Sequence, residues 1–343
     1  MGESLKKILN ISSLYIGLVI GAGFASGREV LEYFNLKNQK DLSGIILAAF
    51  MFSFIAYIIL IKAKKHNICN FFDFVDFVSG KWGYFLKCFM FFYMFTSFFV
   101  MISAGGSLFS LYFAADKKLG TAIMVLICFV VLIFGTKGIE VLNIILVPFM
   151  ICGILCLCIF SVVAKCTPAI NILVEAKNNF LISALCYASY NTINAGAVLV
   201  PASKGTSKKE IVLSSALSGG ILGFLIFFVW ITLNLFFNDV LFSDFPLLSI
   251  AQKCGNLFKS VYSAVLFMSI CTTAASSGYG VLTAFKPKKI KDRIFPSLII
   301  CLLSTPLANF GFSALVANVY SIFGFLGFFW LLILIKNFIT AES

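Results

Sequence analysis

The stretch Ile16–Phe34, IGLVIGAGFASGREVLEYF, decides the reading of this chain. It begins as an apolar helix, then places Gly17, Gly21, Gly23 and Gly27 within eleven positions and ends on Arg28-Glu29. Glycine costs a helix interior about 1 kcal/mol relative to alanine. Two such residues flanking Ala22 make the backbone cheap to unwind there. Carbonyls and amides freed in this way cannot face lipid, so they must line a cavity, pack against protein or bind something. Two readings fit. Gly17/Gly21 and Gly23/Gly27 are GxxxG pairs, suited to close helix packing. An opened helix would instead offer amides to an anion and carbonyls to a small cation.

Composition puts this stretch in a membrane. Of 343 residues, 61% are apolar and 12% charged, against about 45–50% and 25% in a soluble domain. The mean hydropathy is +1.03. Apolar runs long enough to cross the hydrocarbon layer, about 20 residues each, recur along the chain. Ten spans are expected, at 8–34, 41–63, 82–114, 119–136, 139–164, 178–203, 209–237, 256–285, 294–310 and 313–336. Two amphipathic stretches between spans, NICNFFDFVDFVSG (67–80) and FPLLSIAQKCG (245–255), are expected at the membrane surface.

The net charge of +12 comes from lysines and arginines in short loops, which reads as topology rather than as a nucleic-acid surface. Lys62, Lys64, Lys65, Lys204, Lys208, Lys209 and the run KPKKIKDR (286–293) fall on one side, which predicts cytoplasmic N- and C-termini in a cell-membrane protein. The eleven cysteines are scattered through apolar runs such as MICGILCLCIF and read as small buried apolar residues. His66 is the sole histidine and stands at a span end. Neither a nucleophile–base pair nor a metal cluster is visible, so an enzyme is not expected.

The sixth span, with YASYNTINAG (187–196), also carries small and polar residues at mid-membrane. Spans one and six lie five apart, so a repeat relating them must be inverted, with halves at about 8–164 and 178–336 of one transmembrane domain. Each amphipathic stretch precedes the third span of its half. A pair of interrupted spans in corresponding places points to a transporter binding site; hydrogen bonds that merely hold the bundle together are the competing account. In span eight, SICTTAASSGYG sets Thr273, Ser276 and Ser277 on one helix face. Hydroxyls and carbonyls without a carboxylate suit a monovalent cation, while back-bonding within the helix also accounts for them. Tyr93, Thr96 and Ser97 in span three and Asn318, Tyr320 and Ser321 in span ten are weaker candidates to line a cavity. Arg28, Glu29 and Glu32 are expected at the outer end of span one, with Arg28 as a gate. The span-five stretch VLNIILVPFMICGILCLCIFSVV (141–163) carries no charge, and no titratable group is expected near the centre of the bilayer, which favours a metal cation over a proton as coupling ion.

GAGFASG in span one, YASYNT in span six and TTAASS in span eight together resemble the LeuT fold of the amino acid–polyamine–organocation superfamily. GAGFASGREV resembles more narrowly the bacterial YkvI-type membrane proteins. The resemblance implies ten helices in a 5+5 inverted repeat, with helices one and six broken mid-membrane. It implies a substrate carboxylate or polar group at Gly21, Ala22 and Gly23, completed by Tyr93, Tyr187, Ser189, Tyr190 and Asn191. It implies a Na+ site from the Gly17 and Ile20 carbonyls with Thr273, Ser276 and Ser277. Proton-coupled relatives carry a lysine from span five at that place, and this chain has none. The implied function is Na+-coupled uptake of an amino acid or related small amine or carboxylate by alternating access, with the bilayer and a small-molecule substrate as partners and no cofactor. The rival is a nutrient sensor that binds its ligand without moving it.

Overall fold

The computed structural model describes residues 2–34, 41–113, 116–163, 179–241, 243, 245–307 and 327–340, without the side chains of residues 41, 111–113 and 192. All regular structure in these residues is helical. The helices are α1 (Gly2–Val19), α2 (Ala22–Ala25), α3 (Arg28–Tyr33), α4 (Asp41–Lys65), α5 (Phe71–Ser79), α6 (Gly83–Phe113), α7 (Lys117–Phe134), α8 (Thr136–Val163), α9 (Phe180–Ala202), α10 (Lys208–Leu235), α11 (Phe237–Val240), α12 (Pro246–Cys254), α13 (Asn256–Thr283) and α14 (Ile290–Leu307). A further apolar helix, α15, covers Gly327–Thr340.

Six helices among the described residues are long and apolar enough to cross a membrane: α4, α6, α7, α8, α10 and α13. Their lipid-facing sides carry bare apolar side chains, such as Phe50, Phe92, Leu126, Phe149 and Phe224, as the bilayer requires. With 31 residues, α6 would extend about 46 Å at about 1.5 Å per residue, more than the hydrocarbon layer needs. By contrast most of α13 from Tyr262 onward is buried, and the helix is rich in Ser, Thr, Ala and Gly. It is the central post of the bundle, its small residues allowing close approach by α6, α7 and α8.

Two packed groups are visible. One joins α4 to α9 and α10, with α1 lying against both α9 and α10; the other gathers α6, α7, α8 and α14 around α13. α1 also touches α8 and α13, so it lies on the seam between the groups.

The two amphipathic stretches form the short helices α5 and α12. Asn70 caps α5 by accepting from the Phe72 and Asp73 amides, and its Nδ2 donates to the Thr283 carbonyl at the end of α13 (2.9 Å). Ion pairs Lys286–Asp73 and Lys87–Asp76, both 2.6 Å, hold α5 to the neighbouring chain. These pairs are solvent-accessible and add little stability.

The sixth span differs from expectation. It is one continuous helix, α9, with no interruption at YASYNT. Here the polar side chains bond back to their own helix: Ser189 Oγ donates to Leu185 O (2.6 Å) and Asn191 Nδ2 to Tyr187 O (3.0 Å). That satisfies them without opening the backbone ladder. The stretch also has a single glycine, Gly196, where span one has four.

Candidate functional site

The first span stops at Val19. Ile20 N still donates to Ile16 O (2.8 Å), but Gly21 N turns back to Val19 O (2.8 Å). Gly21 is extended (φ −81°, ψ −176°), and helix resumes at Ala22. The turn at Gly21 removes the amides that would have reached the Gly17 and Leu18 carbonyls, leaving both as helix-end acceptors. α13 supplies hydroxyls for them. Thr272 Oγ1 lies 2.9 Å from Gly17 O, and Thr273 Oγ1 lies 3.4 Å from Leu18 O. Thr273 also stands where a side chain on Gly21 would go, 2.8 Å from an ideal Cβ, so Gly21 is a close-approach glycine.

Beside this junction, Ser276 is fully buried and its Oγ has no hydrogen-bond partner. Ser277 turns the other way and bonds Ser97 of α6 (3.0 Å), which also lies 3.5 Å from Asn194 Nδ2 of α9. Asn143 of α8 presses against Gly17, where a Cβ would overlap its Oδ1. Its Nδ2 donates to Ile139 O (2.9 Å), and its Oδ1 is buried without a partner. Thus Thr272, Thr273 and Asn143 meet Gly17, Leu18 and Gly21 at the end of α1; Ser276 lies one helical turn along α13 from Thr272 and Thr273, and Ser277 is directed towards α6. Their donors are neutral oxygens, the set that suits Na+ rather than a divalent ion.

Beyond the gap, two bonds fix α2 by its carbonyl end. Tyr262 Oη of α13 donates to Ala25 O (2.6 Å), and the Leu247 amide of α12 donates to Ser26 O (2.8 Å). Gly27 then takes a left-handed conformation (φ +82°) to start α3, a geometry that favours glycine.

That turn changes the place of Glu29. Read from sequence as part of the outer mouth, it is only 7% exposed. Its side chain folds back over Gly23, where a Cβ would overlap Oε1. The carboxylate faces the hydroxyls of Tyr187 and Tyr190 on α9, yet Oε2 forms no hydrogen bond. Among the described residues no lysine or arginine pairs with it. Arg28, the expected gate, reaches Glu32 one turn along at 3.8 Å, both partly exposed. Sequence reasoning missed Glu29 because it carried the chain beyond the Gly21 break straight on to the outer mouth; the left-handed turn at Gly27 returns the next acidic residue to the interior.

Tyr187 and Tyr190 belong to an aromatic cluster with Tyr33 of α3. Ring centroids lie 5.3 Å apart for Tyr33–Tyr187, 5.6 Å for Tyr33–Tyr190 and 5.8 Å for Tyr187–Tyr190. Phe34 and Phe52 meet the Tyr187 ring edge to face. Tyr93 of α6 is buried and donates to Tyr190 O (3.2 Å), joining the two helix groups at this level. Ser189 and Asn191 spend hydrogen bonds on their own helix. Ala22 is buried at the start of α2. Asn318, Tyr320 and Ser321 lie outside the described residues, as does the side chain of Thr192.

No family model matches the chain. It is 27% identical over 340 residues to the membrane protein YkvI of Bacillus subtilis (strain 168), covering 95% of this chain and 94% of that one. Among solved structures it superposes on MhsT in complex with L-phenylalanine with a TM-score of 0.67 at 17% identity, covering 95% of this chain and 87% of that one. A substrate-bound, outward-open Na+-coupled sialic acid symporter gives 0.65 at 12% identity, over 93% and 75%. The chain has the LeuT fold. In this LeuT-fold chain the interruption at Gly21, the α13 hydroxyls and the Glu29–tyrosine cluster are adjacent parts of one region.

Proposed function

We propose that the chain is a secondary active transporter that takes up a small amine or amino acid together with Na+ by alternating access. The observation that carries the reading is the end of α1. Two main-chain carbonyls freed at Gly21 meet hydroxyls on α13, beside a buried Ser276 hydroxyl with no partner. An unsatisfied buried hydroxyl costs about 1–3 kcal/mol, and a bound cation would give the Ser276 oxygen a partner. Na+ fits the neutral oxygens of Gly17, Ile20, Thr273 and Ser276, with Ser277 linking that face of α13 to α6. The substrate would sit on the α2 side, against Gly21, Ala22, Gly23, Tyr93, Tyr187, Ser189, Tyr190 and Asn191. Arg28, at the exposed end of α3, would open and close its path.

In this reading the chain is one transmembrane domain of two inverted five-helix halves, about 8–164 and 178–336, in the cell membrane with both termini cytoplasmic. α1, α4, α9 and α10 would move as one group against α6, α7, α13 and α14, with the α1–α13 contact at the Na+ site as the coupling joint. The names of the superposed proteins, a Na+-coupled symporter and an L-phenylalanine complex, support this class.

Purified protein in proteoliposomes tests the reading. A panel of radiolabelled amines and amino acids should include one that accumulates under an inward Na+ gradient and stops doing so when the gradient is collapsed. Binding of a panel member with no accumulation under any ion gradient would replace transport by the sensor function.

A further inference from the structure

We propose that the substrate of this site is an organic cation whose ammonium group binds Glu29, beside the Tyr33–Tyr187–Tyr190 cluster. This deepens the transporter reading, since it concerns the substrate class of the same site. Two independent features point to it. Glu29 is a carboxylate more than nine-tenths buried, with Oε2 unbonded and no cationic side chain among the described residues beside it. A buried charge left like this costs several kcal/mol unless a counter-charge arrives. The second feature is the ring cluster that the carboxylate faces. Three tyrosines with ring centroids 5.3–5.8 Å apart stand beside the anion, and the Tyr187 and Tyr190 hydroxyl oxygens on the Glu29 side can accept from an ammonium group.

The placement of Glu29 also redefines what the gap can hold. Glu29 Oε1 covers Gly23, the position at which a substrate carboxylate was expected. A second carboxylate there would put two like charges in a water-poor site, which is strongly unfavourable. Arg28 does not relieve this, because it is directed to Glu32 on the exposed side. The site therefore selects for a positive group and against a carboxylate near Gly21–Gly23.

Binding is measured on the purified full-length protein without recourse to flux. The probes are benzylamine, phenethylamine and isobutylamine, with benzyl alcohol, phenethyl alcohol and isobutanol as neutral counterparts and benzoate as the anion. Thermal unfolding and isothermal titration are run on wild type and Glu29→Gln. At least one amine should stabilise the wild type while its alcohol and benzoate do not. Glu29→Gln should bind that amine on the order of 100-fold more weakly. Replacing an unpaired buried carboxylate by an amide removes a charge from the interior, so the variant should fold. Should it not, Glu29→Asp, which keeps the charge and withdraws it by one methylene, must show the same amine selectivity at reduced affinity. Equal binding of amine and alcohol, unchanged amine affinity in Glu29→Gln, or failure of every amine to stabilise the wild type overturns the proposal. So does a pH-gradient-driven uptake of a neutral solute that Glu29→Gln abolishes, which would make Glu29 a proton carrier. Amine binding that depends on Glu29 but is never followed by accumulation would leave this proposal standing and overturn transport.

Discussion

Ser276→Ala separates a structural from an ion-binding role at the end of α1. Its Oγ is fully buried and unbonded, and an unsatisfied buried hydroxyl costs about 1–3 kcal/mol. Removing the oxygen leaves a void no larger than a methyl group, offsetting at most about 1 kcal/mol. Without Na+, the variant should therefore be as stable as wild type or up to about 2 kcal/mol more stable. Thr272→Ala gives the contrast. It removes the 2.9 Å bond to Gly17 O and exposes a buried carbonyl without a donor, so a loss of about 1–3 kcal/mol is expected. With Na+ at about 100 times its Kd, wild type should gain about 2.7 kcal/mol, and Ser276→Ala should forfeit most of this. The assay is thermal unfolding in detergent with Na+ replaced stepwise by choline. A Ser276→Ala protein that is destabilised in choline like Thr272→Ala, yet keeps the full Na+ shift, would refute the ion-site reasoning.

Gly17→Ala should destabilise by about 1–3 kcal/mol through overpacking, since the new Cβ meets Asn143 Oδ1 and lies 2.6 Å from Val147 Cγ2; adding Asn143→Ala should recover part of the loss, read as yield of monodisperse protein and melting temperature. Gly27→Ala combines φ +82° with a Cβ 2.9 Å from Leu247 Cγ and should cost at least about 1–2 kcal/mol, whereas Gly220→Ala, which meets nothing within 4 Å, should leave the melting temperature unchanged or raised. Tyr262→Phe removes the donor to Ala25 O and should lower stability by about 1–3 kcal/mol, with faster hydrogen exchange confined to residues 22–27.

Much of this architecture was legible in the sequence because lipid leaves few choices. Long apolar runs must be helices, and α5 and α12 announced themselves by polar residues too dense to cross. The interruption at Gly21 could be anticipated from helix propensity alone, which is a local quantity. Span six resisted the same reasoning. YASYNT is as polar as a broken helix requires, but whether Ser189 and Asn191 bond across helices or back along their own depends on rotamers that residue identity does not fix. Ser276 and Ser277 share a helix face in sequence, yet one meets no partner and the other meets Ser97, because α6 packs beside only one of them. Glu29 was misplaced for a related reason: its depth depends on a single left-handed residue, Gly27, not on its own chemistry. Asn143 gave no signal, being one amide in an apolar span, and only its contact with Gly17 marks it.

The two sides of the gap at Gly21 are referenced to one and the same helix. Thr272 and Thr273 hold the α1 side, and Tyr262 holds the α2 side, all from α13. Tyr262 and Thr272 stand ten positions apart in that continuous helix, about 15 Å along its axis. α13 thus acts as a ruler: the width of the gap is copied from its pitch rather than set by the chain that spans it. Stretching the gap means sliding along the ruler and surrendering bonds at one end. A single residue inserted between Phe267 and Met268 would rotate one set of marks by about 100° against the other, throwing the gap out of gauge while changing the identity of no residue that lines it.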